Sequence, residues 1–249
     1  MASSIVTRSI AYQHARVQLE GYLAHPRSRT TRKKSPAVLV VPEWWGLNAY
    51  VKRRAEQLAE LGYVAFAADM FGRGVVTTDA GEATALSTPF HGSPVLAQRA
   101  RAGLEQLLAT GLADPARVAA IGYCFGGSAV QALAYTGARL AGIVSFHGEL
   151  IPVPAGAAAK TRAKILICQG AVDPFVPKAD RDTFAAAMDQ GKFDYQFISY
   201  AGAVHAFSNP GANQLARKNG LQGKIGYSPS ADKRSWAQMQ VFFFEIFAR

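Results

Sequence analysis

Two cysteines, Cys124 and Cys168, are all that 249 residues contain. That is too few for a disulfide framework, and both fall in or at the end of apolar runs, as reduced thiols do. No run of about 18 apolar residues occurs, so no membrane-spanning helix is expected. The opening ten residues hold Ser3, Ser4, Thr7, Arg8 and Ser9 and lack the apolar stretch of a secretory signal, which leads to an expected cytoplasmic location. Metal motifs are missing: there is no H-E-x-x-H and no paired C-x-x-C. No G-x-G-x-x-G follows an apolar run, and the segment 220–224 lacks the spacing and the Ser/Thr of a phosphate loop. No metal and no cofactor are therefore expected. Charged residues are sparse, at 18% against 49% hydrophobic, which excludes a disordered chain and leaves enough apolar surface for a large core.

Acidic residues are the scarcer charge, 17 against 27 basic, for a net +10. Part of the excess is local: Arg27, Arg29, Arg32, Lys33 and Lys34 crowd into 25–36. No aromatic residue is interleaved there for base stacking, so the stretch is read as a solvated loop and no nucleic-acid partner is expected. A positive surface can still draw anionic substrates inward.

What is present is alternation. Short apolar runs predict strands over 16–24, 37–43, 64–70, 118–123, 142–146, 164–169 and 195–200. Amphipathic stretches between them predict helices over 49–61, 93–110, 126–135, 178–190 and 230–248. In the first, Val51, Ala55, Leu58 and Leu61 share a face and Gly62 stops it. In the last, Phe242, Phe243, Phe244, Ile246 and Phe247 read as core. Repeated βαβ units imply one α/β domain over 1–249, with a mostly parallel central sheet and helices on both faces. Residues 1–15 are expected as a loosely ordered N-terminal segment. The stretches 72–94 and 209–229 have no clear period and read as long loops or lids. In such sheets ligands collect at the carboxyl ends of strands.

Three residues stand at those ends. Gly122-Tyr123-Cys124-Phe125-Gly126-Gly127 follows an apolar strand and opens a helix, the nucleophile-elbow pattern with Cys in the Ser position. Small residues two before and two after let the strand and helix approach, and the helix N-terminus favours negative charge at the thiol. A Cys nucleophile needs a base, and the base an orienter. The strand 164–169 ends near Asp173 and the strand 195–200 near His205, in the chain order nucleophile, acid, histidine. His147 also follows a strand but precedes Asp173, so it is read as lining the site. Asp69 precedes the nucleophile and is read as structural. The oxyanion donors expected are the N–H of Phe125 and, from the loop 42–46, that of Trp44. Trp44 and Trp45 can form an apolar wall.

These residues together resemble the dienelactone hydrolase (carboxymethylenebutenolidase) family of the α/β-hydrolase superfamily. The resemblance rests on Glu43-Trp44-Trp45-Gly46-Leu47-Asn48, Ala68-Asp69-Met70-Phe71, the Cys124 elbow, Gly170 to Pro177, and His205-Ala206-Phe207. It implies an α/β-hydrolase fold and a role for Glu43 in the ionisation of Cys124. It implies substrate contacts from Trp45, Phe207, Asn209, His147 and Arg73. Where family members of chlorocatechol breakdown carry an Arg that holds the substrate carboxylate, Asn209 stands here, and Arg73 lies near a second family Arg without a clear match. Other lactones and small activated esters are thus better expected than dienelactone itself. The expected protein is a monomer or homodimer that turns over a small ester or lactone. The alternatives are a broader carboxylesterase or thioesterase, and a non-catalytic binding protein on the same fold.

Overall fold

The computed structural model describes residues 4–27 and 34–248, so Arg29, Arg32 and Lys33 of the basic cluster lie outside the described residues. Eight strands form one sheet: β1 (Ile5–His14), β2 (Val17–Pro26), β3 (Ser35–Val41), β4 (Val64–Ala67), β5 (Ala113–Tyr123), β6 (Gly142–Phe146), β7 (Lys164–Gly170) and β8 (Tyr195–Tyr200). Their order is β1-β2-β4-β3-β5-β6-β7-β8. β1, β2 and β4 pair antiparallel, and every neighbour from β4 to β8 is parallel. Where a loose N-terminal segment is expected, Ile5–His14 is a strand of 10 residues paired along β2. It is an edge strand on which Tyr12 alone is buried, so it carries almost no apolar period to read.

Side chains alternate across the pleat, and the two faces of β3 show why both sides need helices. Ala37, Leu39 and Val41 enter one core with Leu104 and Leu107 of α3 (Val95–Ala109), Val130 and Leu133 of α4 (Phe125–Tyr135), and Phe184 of α6 (Lys178–Gln190). Val38 and Val40 enter the other with Val51 and Leu58 of α1 (Ala49–Glu60) and Met239, Phe242 and Phe243 of α8 (Pro229–Phe247). Apart from Ala37, each of these side chains contributes about 1.5–3 kcal/mol on burial. Phe244 of the expected core faces solvent, 81% exposed. Helix starts are chemically marked: Asn48 accepts from Val51 N, and Ser228 accepts from Ala231 N with Pro229 in the first turn.

The two aperiodic stretches hold short helices, α2 (Ala80–Ser87) and α7 (Ala212–Asn219), and α5 (Ala157–Lys160) follows β6. Asn219 ties the first two together, donating to Thr78 O (3.0 Å) and accepting from Ala80 N (2.8 Å). Among the described residues no helix is long and apolar enough to cross a membrane. The chain runs from β3 to β4 on one side and crosses back to β5 on the other, so a crevice opens between the carboxyl ends of β3 and β5.

Candidate active site

β5 runs into α4 through Cys124, whose φ of 52° and ψ of −119° are strained for a residue with a Cβ. Two glycines make the turn possible. A Cβ on Gly122 would stand 1.9 Å from Gly126 O, and one on Gly126 would stand 2.2 Å from Val41 O. The strain holds the Cys124 side chain at the mouth of α4, in a cavity of about 390 Å³ that His205 also lines.

His205 follows β8 and is buried. Its Nδ1 meets Asp173 Oδ2 at 2.8 Å. Asp173, after β7, is held in turn by Gln169 Nε2 (2.7 Å, on Oδ2) and Phe175 N (2.9 Å, on Oδ1). Burial works against a charge on His205, but the Cys124 sulfur and the Asp173 carboxylate outweigh it and hold its pKa well above the ordinary value. The arrangement favours imidazolium beside sulfur. Cys168, by contrast, is fully buried under Tyr200, and burial pushes its thiol up to about 12.

Neither Phe125 N–H nor Trp44 N–H has an acceptor among the described residues. Both residues line the cavity, as does Trp45, whose ring centroid lies 4.9 Å from that of Trp44. Glu43, at the end of β3, is wholly buried and also borders the cavity. Its Oε2 accepts from Asn209 Nδ2 (2.6 Å), and its Oε1 has no protein partner. Burial raises its pKa to about 7, opposed by the Asn209 hydrogen bond and by the charges of His205 and Arg54.

Four residues expected to touch substrate stand elsewhere. Asn209 is turned inward and spends its amide on Glu43 and on Gly211 N (2.8 Å). His147 is fully buried, with Nε2 on Ser208 Oγ (2.8 Å), and burial lowers its pKa well below the usual value. Phe207 packs behind it, 5.1 Å from the His147 ring and 5.4 Å from Tyr200. Arg73 is exposed and pairs with Glu20 at 3.2 Å. Asp69 braces a turn, accepting from Phe71 N and Gly72 N, both at 3.0 Å.

Other wall residues carry no motif. Phe90 and His91 come from the stretch that lacks a period, Leu96 from the first turn of α3, and Glu149, Leu150 and Ile151 follow β6. Phe175 lies edge-on to His205 with centroids 5.2 Å apart. Position after a strand was the one available signal for Glu149 and Phe175. Behind the site, Arg54 of α1 donates to Ser208 O (2.7 Å) and to Asp232 of α8, which fixes the turn after His205. Among the described residues no group of His, Cys, Asp or Glu could hold a metal ion.

Comparison with known proteins adds three findings. A family model described as the dienelactone hydrolase family matches residues 19–247. A solved structure described as a dienelactone hydrolase-like promiscuous phosphotriesterase from metagenomic libraries is 35% identical, with a TM-score of 0.91, covering 98% of this chain and 99% of the other. A Synechocystis protein with the provisional name carboxymethylenebutenolidase is 27% identical over 224 residues, 83% of this chain and 88% of its own.

Proposed function

Because the chain belongs to the dienelactone hydrolase family, and so is a carboxylic ester hydrolase, we propose that it cleaves lactones and small activated esters through an acyl-enzyme on Cys124. The observation that carries this reading is the 2.8 Å Asp173–His205 hydrogen bond behind a histidine that shares its cavity with Cys124. The Cys124 thiolate attacks the carbonyl carbon, and a C–S bond forms. The N–H groups of Phe125 and Trp44 receive the oxyanion. The C–O bond breaks, and the leaving oxygen takes the proton of the His205 imidazolium. His205 then removes a proton from water, the resulting hydroxide attacks the thioester, and the C–S bond breaks to release the acid and restore the Cys124 thiolate beside the His205 imidazolium. Asp173 keeps the His205 Nδ1 proton in place throughout. Glu43 modulates the ionisation of Cys124. A thiol nucleophile suits a reducing compartment such as the cytoplasm.

The test is the intact mass of enzyme quenched during turnover of p-nitrophenyl acetate. One acetyl group on wild type and none on Cys124→Ala supports the reading. Turnover with the acetyl group elsewhere contradicts it. Activated esters are expected to outrun ethyl esters, and comparable rates for the two count against a thiol acyl-enzyme. A broader esterase reading, reaching to larger acyl groups and neutral phosphotriesters, is favoured by the size and apolar walls of the cavity and by the description of the 35% identical relative. A chain-length series and paraoxon, each with Cys124→Ala as control, separate it from the narrower one.

A further inference from the structure

A net charge of +10 suggests that anionic substrates are drawn in. The cavity itself has the opposite character. Its titratable wall residues are Glu43, His91, Cys124, Glu149 and His205, and among the described residues no lysine or arginine lines it. Glu149 is exposed as well as lining, so its carboxylate stands where the cavity meets water. The remaining wall is largely Trp44, Phe90, Leu96, Phe125, Leu150 and Ile151. Phe90 and Phe125 meet edge to face at 5.4 Å, which closes the chamber beside the oxyanion donor.

The two buried arginines of the described residues are committed elsewhere. Arg54 is bound to Ser208 O and Asp232, and Arg99 donates to Met70 O (2.7 Å) and His14 Nδ1 (3.1 Å). Neither lines the cavity. The charge on His205 is matched by Asp173 and by the Cys124 sulfur. The N–H of Phe125, which has no acceptor among the described residues, can serve one oxygen, that of the reacting carbonyl. A second carboxylate on a substrate would shed its water with no cation to replace it, and would pass the Glu149 charge on the way in. Surface lysines and arginines do not rescue it, since exposed charges are largely screened beyond about 8 Å at physiological salt.

We infer that this site selects electrically neutral esters and lactones with an alkyl or aryl group, and rejects those that carry a carboxylate. The inference rests on the hydrolase reading above for its chemistry, but on the cavity wall for its selectivity. Glu149 is a specificity-determining residue at the entrance.

The test compares kcat/KM for p-nitrophenyl butyrate, p-nitrophenyl hemisuccinate and the methyl ester of the latter. Butyrate and the methyl ester are expected to exceed the hemisuccinate by at least tenfold, about 1.4 kcal/mol. Glu149→Lys is expected to narrow that ratio. Equal or faster turnover of the hemisuccinate overturns the inference. So does a methyl ester as slow as the hemisuccinate, because size and not charge would then be read. A ratio unmoved by Glu149→Lys overturns the role of that residue. Binding is measured independently of hydrolysis, by tryptophan fluorescence of Cys124→Ala titrated with 2-hexanone and with levulinate. The neutral ketone is expected to bind more tightly, and levulinate binding as tightly overturns the inference. If wild-type rates equal the buffer blank, the hydrolase reading fails, and the ketone pair still decides the selectivity.

Discussion

Glu43 sits where chemistry and stability oppose each other. Burial with only the Asn209 amide for a partner holds its carboxyl at about 7, against an ordinary value of 4.5. The folded protein therefore keeps a proton that the unfolded chain loses between pH 4.5 and 7, and the contribution of this residue to stability falls as pH rises through that window. The loss by pH 8 is on the order of 3 kcal/mol. Glu43→Gln, which can still accept from Asn209, is expected to gain on wild type by up to that amount at pH 8 and by little at pH 4, in urea unfolding at each pH. A difference that does not change with pH would mean that Glu43 is not a buried, neutralised acid. Asp173→Asn is expected to lower kcat by roughly 10³–10⁴, since an amide can stabilise the wrong His205 tautomer. The far-ultraviolet circular dichroism should not move. The sequence is informative about Cys124, Asp173 and His205 because each stands just after a strand, in the chain order that a nucleophile elbow, acid and histidine take on this fold, and the structure places Asp173 on His205 and His205 in the cavity that Cys124 lines. It is less informative about Asn209, His147 and Phe207. They lie just after strands too, but whether a side chain faces the cavity or the layer behind it depends on backbone torsions that residue type does not encode.

At the scale of elements, the β5–Cys124–α4 turn is the feature on which the site depends. Gly126→Ala is expected to cost at least about 3 kcal/mol, because its Cβ would collide with backbone and not with a side chain that can rotate away. A denaturation midpoint close to wild type would show that the turn can open without loss. The tie between Arg54 and Asp232 joins α1 to α8 and holds the turn that follows His205. Arg54→Met is expected to cost about 3 kcal/mol, the lower end for breaking a buried pair, because Asp232 keeps some contact with water. Guanidinium unfolding measures it. The elements that sequence periodicity reveals are those with a clear inward face, such as α1, α3 and the parallel strands. α2 and α7 have eight residues each and few buried side chains, so there is little pattern in them to detect. β1 was missed for the same reason, as an edge strand with most of its side chains outward.

For the molecule as a whole, both cores share one sheet, and the residues of β3 contribute to each in alternation. Unfolding of either face exposes the other, so a single calorimetric transition is expected, with equal van't Hoff and calorimetric enthalpies. Two resolved transitions would divide the chain into separately stable parts. Among the described residues the cavity wall holds no lysine or arginine, which is why whole-chain charge is a poor guide to what the site accepts. The alternation of strands and helices was legible from composition and period, while the cavity was not, because its walls come from seven separate stretches of chain that meet only after folding.

The most direct test of the central claim is the initial rate of hydrolysis of p-nitrophenyl acetate and of an enol lactone by wild type and by Cys124→Ala. Turnover of both substrates by wild type, with the variant at the buffer blank, is the expected result. Equal rates for the two proteins would contradict the assignment of Cys124 as the nucleophile.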